Sequence, residues 1–319
     1  MKSLKLITII SIFSYSNYLV GQTLEEREKQ IVISNSIKSI VQYDYKYKNG
    51  IPSEDGQMAS IATYSKKGEL LEKKFYNSKG LVNGWEKYEY DDDGNRTLYE
   101  RESNNSKYKK ESVYNDNRQA ILEAGYSGEE KFKTTYTYNN SGKPLEIVRY
   151  INNLIEEKLV YDHSENTAVV SIYSKGKNLR SKLKLVYDEK GNIIQETLLS
   201  IDNKELEKKT FSYNEASQLV LEEKTRDGKF YYRISNIYDS KGNLTKVYEE
   251  TLAKKKYLKK EYVFTVNDNL LEYKWRRNPD EEFNVKNYTY DARGICASEK
   301  TYYSNTQFRS LSKYRYIFY

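Results

Sequence analysis

Histidine and cysteine each occur once in this chain, as His163 and Cys296. A Ser/His/Asp or Cys/His nucleophile needs that single imidazole against a serine or against Cys296. A zinc centre needs more thiolates and imidazoles than exist, and no Gly-rich phosphate loop or dinucleotide fingerprint occurs. His163 lies in Tyr161-Asp162-His163-Ser164 and reads as a solvated turn residue. Cys296 reads as a small apolar residue in a strand-like run, with covalent dimerisation as its alternative. Asp91-Asp92-Asp93 with Asn95 is the one carboxylate cluster of cation-binding type, because calcium takes several oxygen ligands from such loops. The same residues also suit a hairpin turn. A glycosidase needs only two carboxylates, but spacing singles out no pair among 46 acidic residues. The expectation is a chain with no catalytic set, no metal and no cofactor.

What the sequence has in excess is tyrosine, 34 of 319 residues. Eleven aromatic anchors recur at 64, 90, 114, 138, 161, 187, 213, 238, 264, 290 and 316, at intervals of 23 to 26 residues. All are tyrosine except Phe264. Such a period marks a repeat architecture. The sharpest copies are Tyr187-Asp188-Glu189-Lys190-Gly191-Asn192 and Tyr238-Asp239-Ser240-Lys241-Gly242-Asn243. Asp91 with Gly94, Asn139 with Gly142, and Asp291 with Gly294 repeat them.

An Asp or Asn opening the turn can bond the backbone two residues on, and a glycine three places later takes positive φ without steric cost. That spacing predicts a type I turn closed by a left-handed residue, a common hairpin loop. Other copies lack the glycine, with Arg118, Glu165 and Ser217 in its place. Intact and degraded turns alternate from Tyr90 to Tyr290. Duplication of a two-hairpin ancestor explains this, and so do different surroundings for alternate turns.

A second, looser turn falls between anchors, as at Asn77-Ser78-Lys79-Gly80 and Arg226-Asp227-Gly228. Two turns per period leave roughly eight residues, or about 27 Å, per strand. The predicted fold is all-β: tandem hairpins in one long antiparallel sheet of about 20 strands, twisted or curled. Ile37, Ser39, Val41, Tyr43, Tyr45 and Tyr47 open it on one face, with Lys38, Gln42, Asp44 and Lys46 on the other. Residues two before the anchor are large and apolar at eight copies, and those one before are β-branched at eight. Both faces are therefore partly covered near the anchor turns. The low content of Leu, Ile and Val argues for cross-strand pairs over a thick two-layer core.

Residues 1–21 carry Lys2 and Lys5, an apolar centre from Leu6 to Phe13, and small or polar residues before Gly21. This reads as a secretory signal peptide. Residues 22–36 form a leader, with Leu24 to about Gln30 patterned as a short helix after Thr23. The repeat domain is 37–319. No later run has the roughly 18 apolar residues of a membrane helix. Without Lys2 and Lys5 the chain has 51 basic and 46 acidic residues, a net charge of +5. Charges interleave, as in Glu72-Lys73-Lys74, so nucleic acid is not an expected partner.

The alternation Tyr-Asp-x-x-Gly-Asn, strand, turn, strand resembles the YD repeat of RHS-type proteins over roughly Ile37 to Tyr319. Tyr76-Asn77-Ser78-Lys79-Gly80-Leu81-Val82-Asn83-Gly84-Trp85 also resembles a MORN-type hairpin. The RHS resemblance implies a spiralling β-sheet, often a hollow shell, on a secreted or surface-exposed protein. The chain is much shorter than the large RHS forms. The expected function is a non-enzymatic exported binding or structural module, in the periplasm or at the cell surface, for polysaccharide or an envelope or secreted protein. Alternatives are an accessory shell of a secretion or polymorphic-toxin system, which the RHS resemblance implies, and a carbohydrate-active enzyme. Tyr231, Tyr232, Arg233, Tyr302 and Tyr303 are the candidate ligand surface, through ring stacking beside a guanidinium.

Overall fold

The computed structural model describes residues 24–319 except Asn105 and Lys254. The expected signal peptide, 1–21, lies outside the described residues. One helix, Leu24–Ser34, precedes 24 strands. Two of these, Tyr47–Lys48 and Ile51–Pro52, make a small hairpin of their own. The other 22 form one antiparallel sheet in which each strand pairs with its neighbour in sequence.

The sheet closes. The first strand, Ile37–Tyr45, pairs along one edge with Gln57–Tyr64 and along the other with the last strand, Phe308–Phe318. Val41, for example, stands opposite both Ile61 and Arg315. The apolar C-terminal strand, an aggregation hazard if left unpaired, is thereby spent on the seam. The expected all-β meander is a barrel.

The anchor turns have the predicted geometry. Gly94 donates its N–H to the Asp91 carbonyl and Asp91 donates to the Asn95 carbonyl, both at 3.0 Å. The Asp91 carboxylate accepts from the Asn95 backbone and side chain. The copies at Asp188, Asp239 and Asp291 repeat the backbone pair. Three turns without glycine keep the same fold, placing Arg118, Ser217 and Asp268 in the left-handed region at φ 60°, 57° and 62°. Glu165 does not follow them: the strand runs on to His163, and a tighter turn closes with Ser164 donating to Thr167.

Surroundings favour glycine at two of the intact turns. Gln119 of one glycine-free turn donates to the Gly142 carbonyl of the next, and Gln218 to that of Gly242, each at 2.8 Å. A Cβ on either glycine would meet that amide at 3.2 or 3.1 Å. The residue after the glycine in intact turns, Asn95 or Asn192, instead folds back onto its own Asp. At these two turns glycine stands where a neighbouring side chain crosses; at Gly191 no atom lies within 4 Å of a Cβ, and the positive φ alone favours glycine.

At nine anchors the register slips by one residue, between Glu89 and Tyr90 for instance. A bulge bends its strand and increases local twist. Repeated at one end of every second strand pair, it supplies the curl that closure needs. Eight further register shifts occur away from the anchors, and the one between Ile37 and Ser39 moves Ile37 off the face expected for it. It becomes fully buried on the inside, beside Ala62, Tyr64 and Ile295.

The leader helix is longer than expected, reaching Ser34. It ends where Asn35 donates to Ile31 and Ser36 turns left-handed at φ 51°, a common C-terminal closure. Val32 anchors it against Ile37 and Tyr64. Gly68, in the first anchor turn, has no room for a Cβ against Lys29 and Ile33.

Two substitutions test the turn. Gly191 sits at φ 82° with open space around its missing Cβ, so Gly191→Ala isolates the backbone cost of about 1 kcal/mol. Ser217→Gly relieves the same strain and should raise stability by roughly 1 kcal/mol. Urea melts of both variants read the two signs.

Candidate functional site: the barrel lumen

The inner face is fixed by what meets the helix. Arg27, Glu28, Ile31 and Val32 border the same void as Tyr213, Tyr238, Phe264, Tyr290 and Tyr316. Those anchors are spread over nearly half the wall, and only the concave side brings them together. The void measures about 980 Å³. A second, of about 490 Å³, lies on the helix's other flank against Tyr64, Tyr88 and Tyr90. The helix therefore lies across the mouth formed by the anchor turns.

The anchor tyrosines line that mouth for a structural reason. Seven of the anchor phenols reach sideways to the carbonyl of the first residue of the strand beside them, while Tyr64 donates to Glu28. Tyr90 donates to Leu70 at 3.1 Å, Tyr114 to Arg96 at 3.0 Å, Tyr138 to Ala120 at 2.8 Å and Tyr213 to Ile193 at 2.9 Å. Tyr238 to Leu219 and Tyr290 to Leu270 continue the series. A buried hydroxyl needs such a partner, and a ladder end needs its carbonyl satisfied. The repeat meets both demands at once.

His163 fits the same scheme. It is half-buried, not a solvated turn residue: its Nε2 lies 2.7 Å from the Pro144 carbonyl, the bond a tyrosine makes elsewhere. Tyr161 stacks on the imidazole with centroids 5.9 Å apart. The irregular hairpin thus uses its histidine as a structural clasp. A histidine two residues past an anchor, where the turn motif fails, is the sequence signal that could have found it.

Deeper in the lumen run two rows of rings. Tyr88, Tyr99, Tyr108 and Phe132 follow one another at centroid spacings of 5.1 to 5.6 Å. Gly125 lets the last two meet, since Phe132 lies 3.0 Å from where its Cβ would be. The other row is Tyr262, Tyr273 and Trp275 at 4.9 and 4.8 Å, continuing edge-on to Tyr303 and then to Phe308. Charges sit between the rows: Lys110 with Glu123, Arg149 with Glu157, and Lys286 with Glu299. Burial pushes the Glu196 carboxyl up, and Lys209 beside it opposes the shift. A smaller apolar patch of Leu159, Ala168, Val170, Ile172, Leu183 and Leu185 completes the lining.

The five candidate ligand-surface residues do not form one patch. Tyr232 faces the lumen and donates to Glu222, and Tyr303 closes the second aromatic row at the far mouth. Arg233 faces outward, paired with Glu223 and Glu250. Tyr302 also lies outside, under the Arg309 guanidinium at 5.7 Å. Tyr231 is covered by Lys224 and Arg226. Alternation along a strand separates what sequence adjacency joined.

The other reactive candidates are tied up as well. Cys296 faces the large void, where burial pushes its thiol up to about 11. Asp91 is held by Asn95, which keeps its carboxyl below the ordinary range, and Asp93 pairs with Arg118. Among the described residues no cluster of three or more His, Cys, Asp or Glu could hold a metal ion.

The outer face is charged: Lys74 with Glu72, Lys87 with Glu89, Lys109 with Glu111, and Lys274 with Glu272. A membrane-spanning barrel presents an apolar band there, and each midplane Lys or Arg costs about 2–4 kcal/mol. These mid-wall pairs would carry that cost, while Val113, Ile237 and Val263 are exposed apolar residues nearer the anchor rim. The described residues also contain no helix long and apolar enough to cross a membrane.

No family model matches the chain, and no curated protein matches it. Solved structures do match. A porin-like protein from Bacteroides uniformis shares 12% identity at TM-score 0.32, over 88% of this chain and 98% of that one. A porin-like protein from Bacteroides vulgatus shares 7% at 0.24, over 89% and 99%. The TcdB2-TccC3-TEV structure shares 11% at 0.30 over 82% of this chain, which spans about a fifth of that one, 18%. Likeness at this level assigns neither family nor function, and the barrel stands on its own strand pairings.

The phenols give the fold a pH limit. Burial pushes Tyr262 and Tyr290 up to about 12 from 10.0, and raises Tyr114, Tyr213 and Tyr238. A raised native pKa means the folded state holds the proton longer. Its stabilisation is complete below pH 10 and is lost as pH rises towards 12. Alkaline titration should show phenolate absorbance at 295 nm appearing together with loss of β-sheet circular dichroism. Ionisation of these tyrosines at pH 10 with the sheet intact would contradict it.

Proposed function

We propose that this chain is an exported, non-enzymatic binding module whose ligand occupies the lumen, and that the ligand is a polysaccharide segment. The observation that carries this reading is the space left beside the helix, about 980 Å³ walled by tyrosine rings, within a closed barrel. Cross-strand stacking uses most ring faces in the deeper rows, but the anchors Tyr213, Tyr238, Tyr290 and Tyr316 have their hydroxyls engaged with backbone and border the void. Aromatic faces beside carboxylates and amides are what pyranose rings stack on and hydrogen-bond to. Glu299, Asn243 and Asn269 supply the polar groups. The nucleophile candidates are each bound into the fold, which supports a binding role. Export rests on the signal-like residues 1–21. The closed wall also supports the alternative of an accessory shell, in which a protein segment fills the same lumen.

The two tryptophans give a direct test. Trp85 faces outward opposite Lys74, and Trp275 faces the lumen in the row with Tyr262 and Tyr273. In a Trp85→Phe protein, ligands found on a glycan array should shift or quench the remaining emission. Tyr290→Ala should weaken binding at least tenfold. A blank array together with a blank pull-down from envelope extract would remove the binding role.

A further inference from the structure

Along the larger void the same two kinds of side chain recur, hairpin after hairpin. The aromatic anchors Tyr213, Tyr238, Phe264 and Tyr290 border it, and so do the amides Asn192, Gln218, Asn243 and Asn269. Each amide stands five residues past the preceding anchor. It adjoins the carbonyl that the following tyrosine binds, as Asn192 adjoins Ile193 and Asn269 adjoins Leu270. Successive amide–aromatic pairs lie two strands apart, about 9.5 Å along the wall, so four pairs span roughly 29 Å. At the fifth hairpin the amide becomes Ile295, and there Val32 of the helix packs. At the other end the void adjoins a further one of about 480 Å³ between the turns at Asp188 and Asn214, with Asn192, Tyr213 and Ser217 common to both. The wall thus holds a row of four like pairs, stopped at one end by the helix and open at the other.

Three of the amides are held in place by turn bonds. Asn192 donates to Asp188, Gln218 to the Gly242 carbonyl and Asn243 to Asp239. The Asn269 side chain has no hydrogen-bond partner among the described residues, so its amide is open to a ligand. The charged side chains at the void are Arg27, Glu28, Asp268 and Glu299, three acids to one base. That balance does not suit an anionic chain.

We infer that the lumen ligand is a neutral β-1,4-linked glycan laid along this row, one disaccharide to each hairpin; this rests on the polysaccharide reading above. Successive sugars of a β-1,4 chain turn opposite faces, so one face and its hydroxyls return once per disaccharide, close to the hairpin spacing. Each pair then meets the same sugar, ring against ring and amide against hydroxyl. A coiled α-1,4 chain offers no such straight repeat. Because every unit contributes separately, affinity is set by chain length up to the four units of the row.

The test is calorimetric titration of the full chain without its first 21 residues, using cello- and manno-oligosaccharides of two, four, six and eight sugars. At least one series should bind, with affinity rising at each added disaccharide and at least tenfold from four sugars to eight. Maltooctaose should not bind. Asn269→Leu should weaken the eight-sugar ligand about fivefold and leave the six-sugar ligand nearly unchanged, because three pairs remain for it. A merely structural loss would weaken both alike. Equal affinity for two and eight sugars, equal loss of both ligands in Asn269→Leu, tight binding of maltooctaose, or binding of neither series would overturn the inference. If neither series binds but a glycan array gives another ligand, the lumen reading stands without it; a blank array and a blank pull-down would remove both.

Discussion

The structure depends on one constraint, that no strand be left with a free edge. Short strands in a single layer cannot bury enough apolar area to tolerate an open row of amides, and an exposed row recruits other chains. Here Ile37–Tyr45 lies between the second strand of the wall and the last, Phe308–Phe318. Removing that pairing would release two edges at once and leave Ile37, Ile40 and Tyr316 without their common packing.

Closure by 22 short strands creates a second demand, because a wide barrel has little through-space core. The chain meets it locally. At the anchor rim, tyrosine combines apolar area with a hydroxyl that satisfies a neighbouring carbonyl, so each hairpin is tied to itself. In mid-wall, rings stack across strands and lysine–glutamate pairs fill the rest. Phe264 lacks the hydroxyl and the Tyr161 hairpin recruits His163 instead, so the tie tolerates exceptions without breaking the ring.

Much of the architecture was legible in the sequence because it is local and repeated. Asp, two residues and Gly specify the turn at Asp188–Gly191 and Asp239–Gly242, and the tyrosine period sets strand length. Closure was not legible, since it depends on curvature accumulated over many bulges, nine of them at anchors, and on a match between first and last strands. Faces were lost where a bulge resets parity, as at Ile37. The proposed surface around Tyr231, Tyr232 and Arg233 dispersed for the opposite reason, because regular alternation sends neighbours to opposite sides. The crowding at Gly142 and Gly242 became visible only with the Gln119 and Gln218 amides in view.

The proposal that the interior, not the sheet edge, is where this protein meets a ligand rests on a closed wall around a partly filled lumen and fails if the ring is open. The decisive measurement is cross-linking across the seam. Tyr43 and Lys313 are strand partners there, and Cys296→Ala removes the native thiol. In a Tyr43→Cys/Lys313→Cys protein, a short bis-maleimide should join the two positions within one monomer, as peptide mapping would show. Two singly capped cysteines, or bridging only between molecules, would mean the first and last strands lie a sheet's width apart and that no barrel forms.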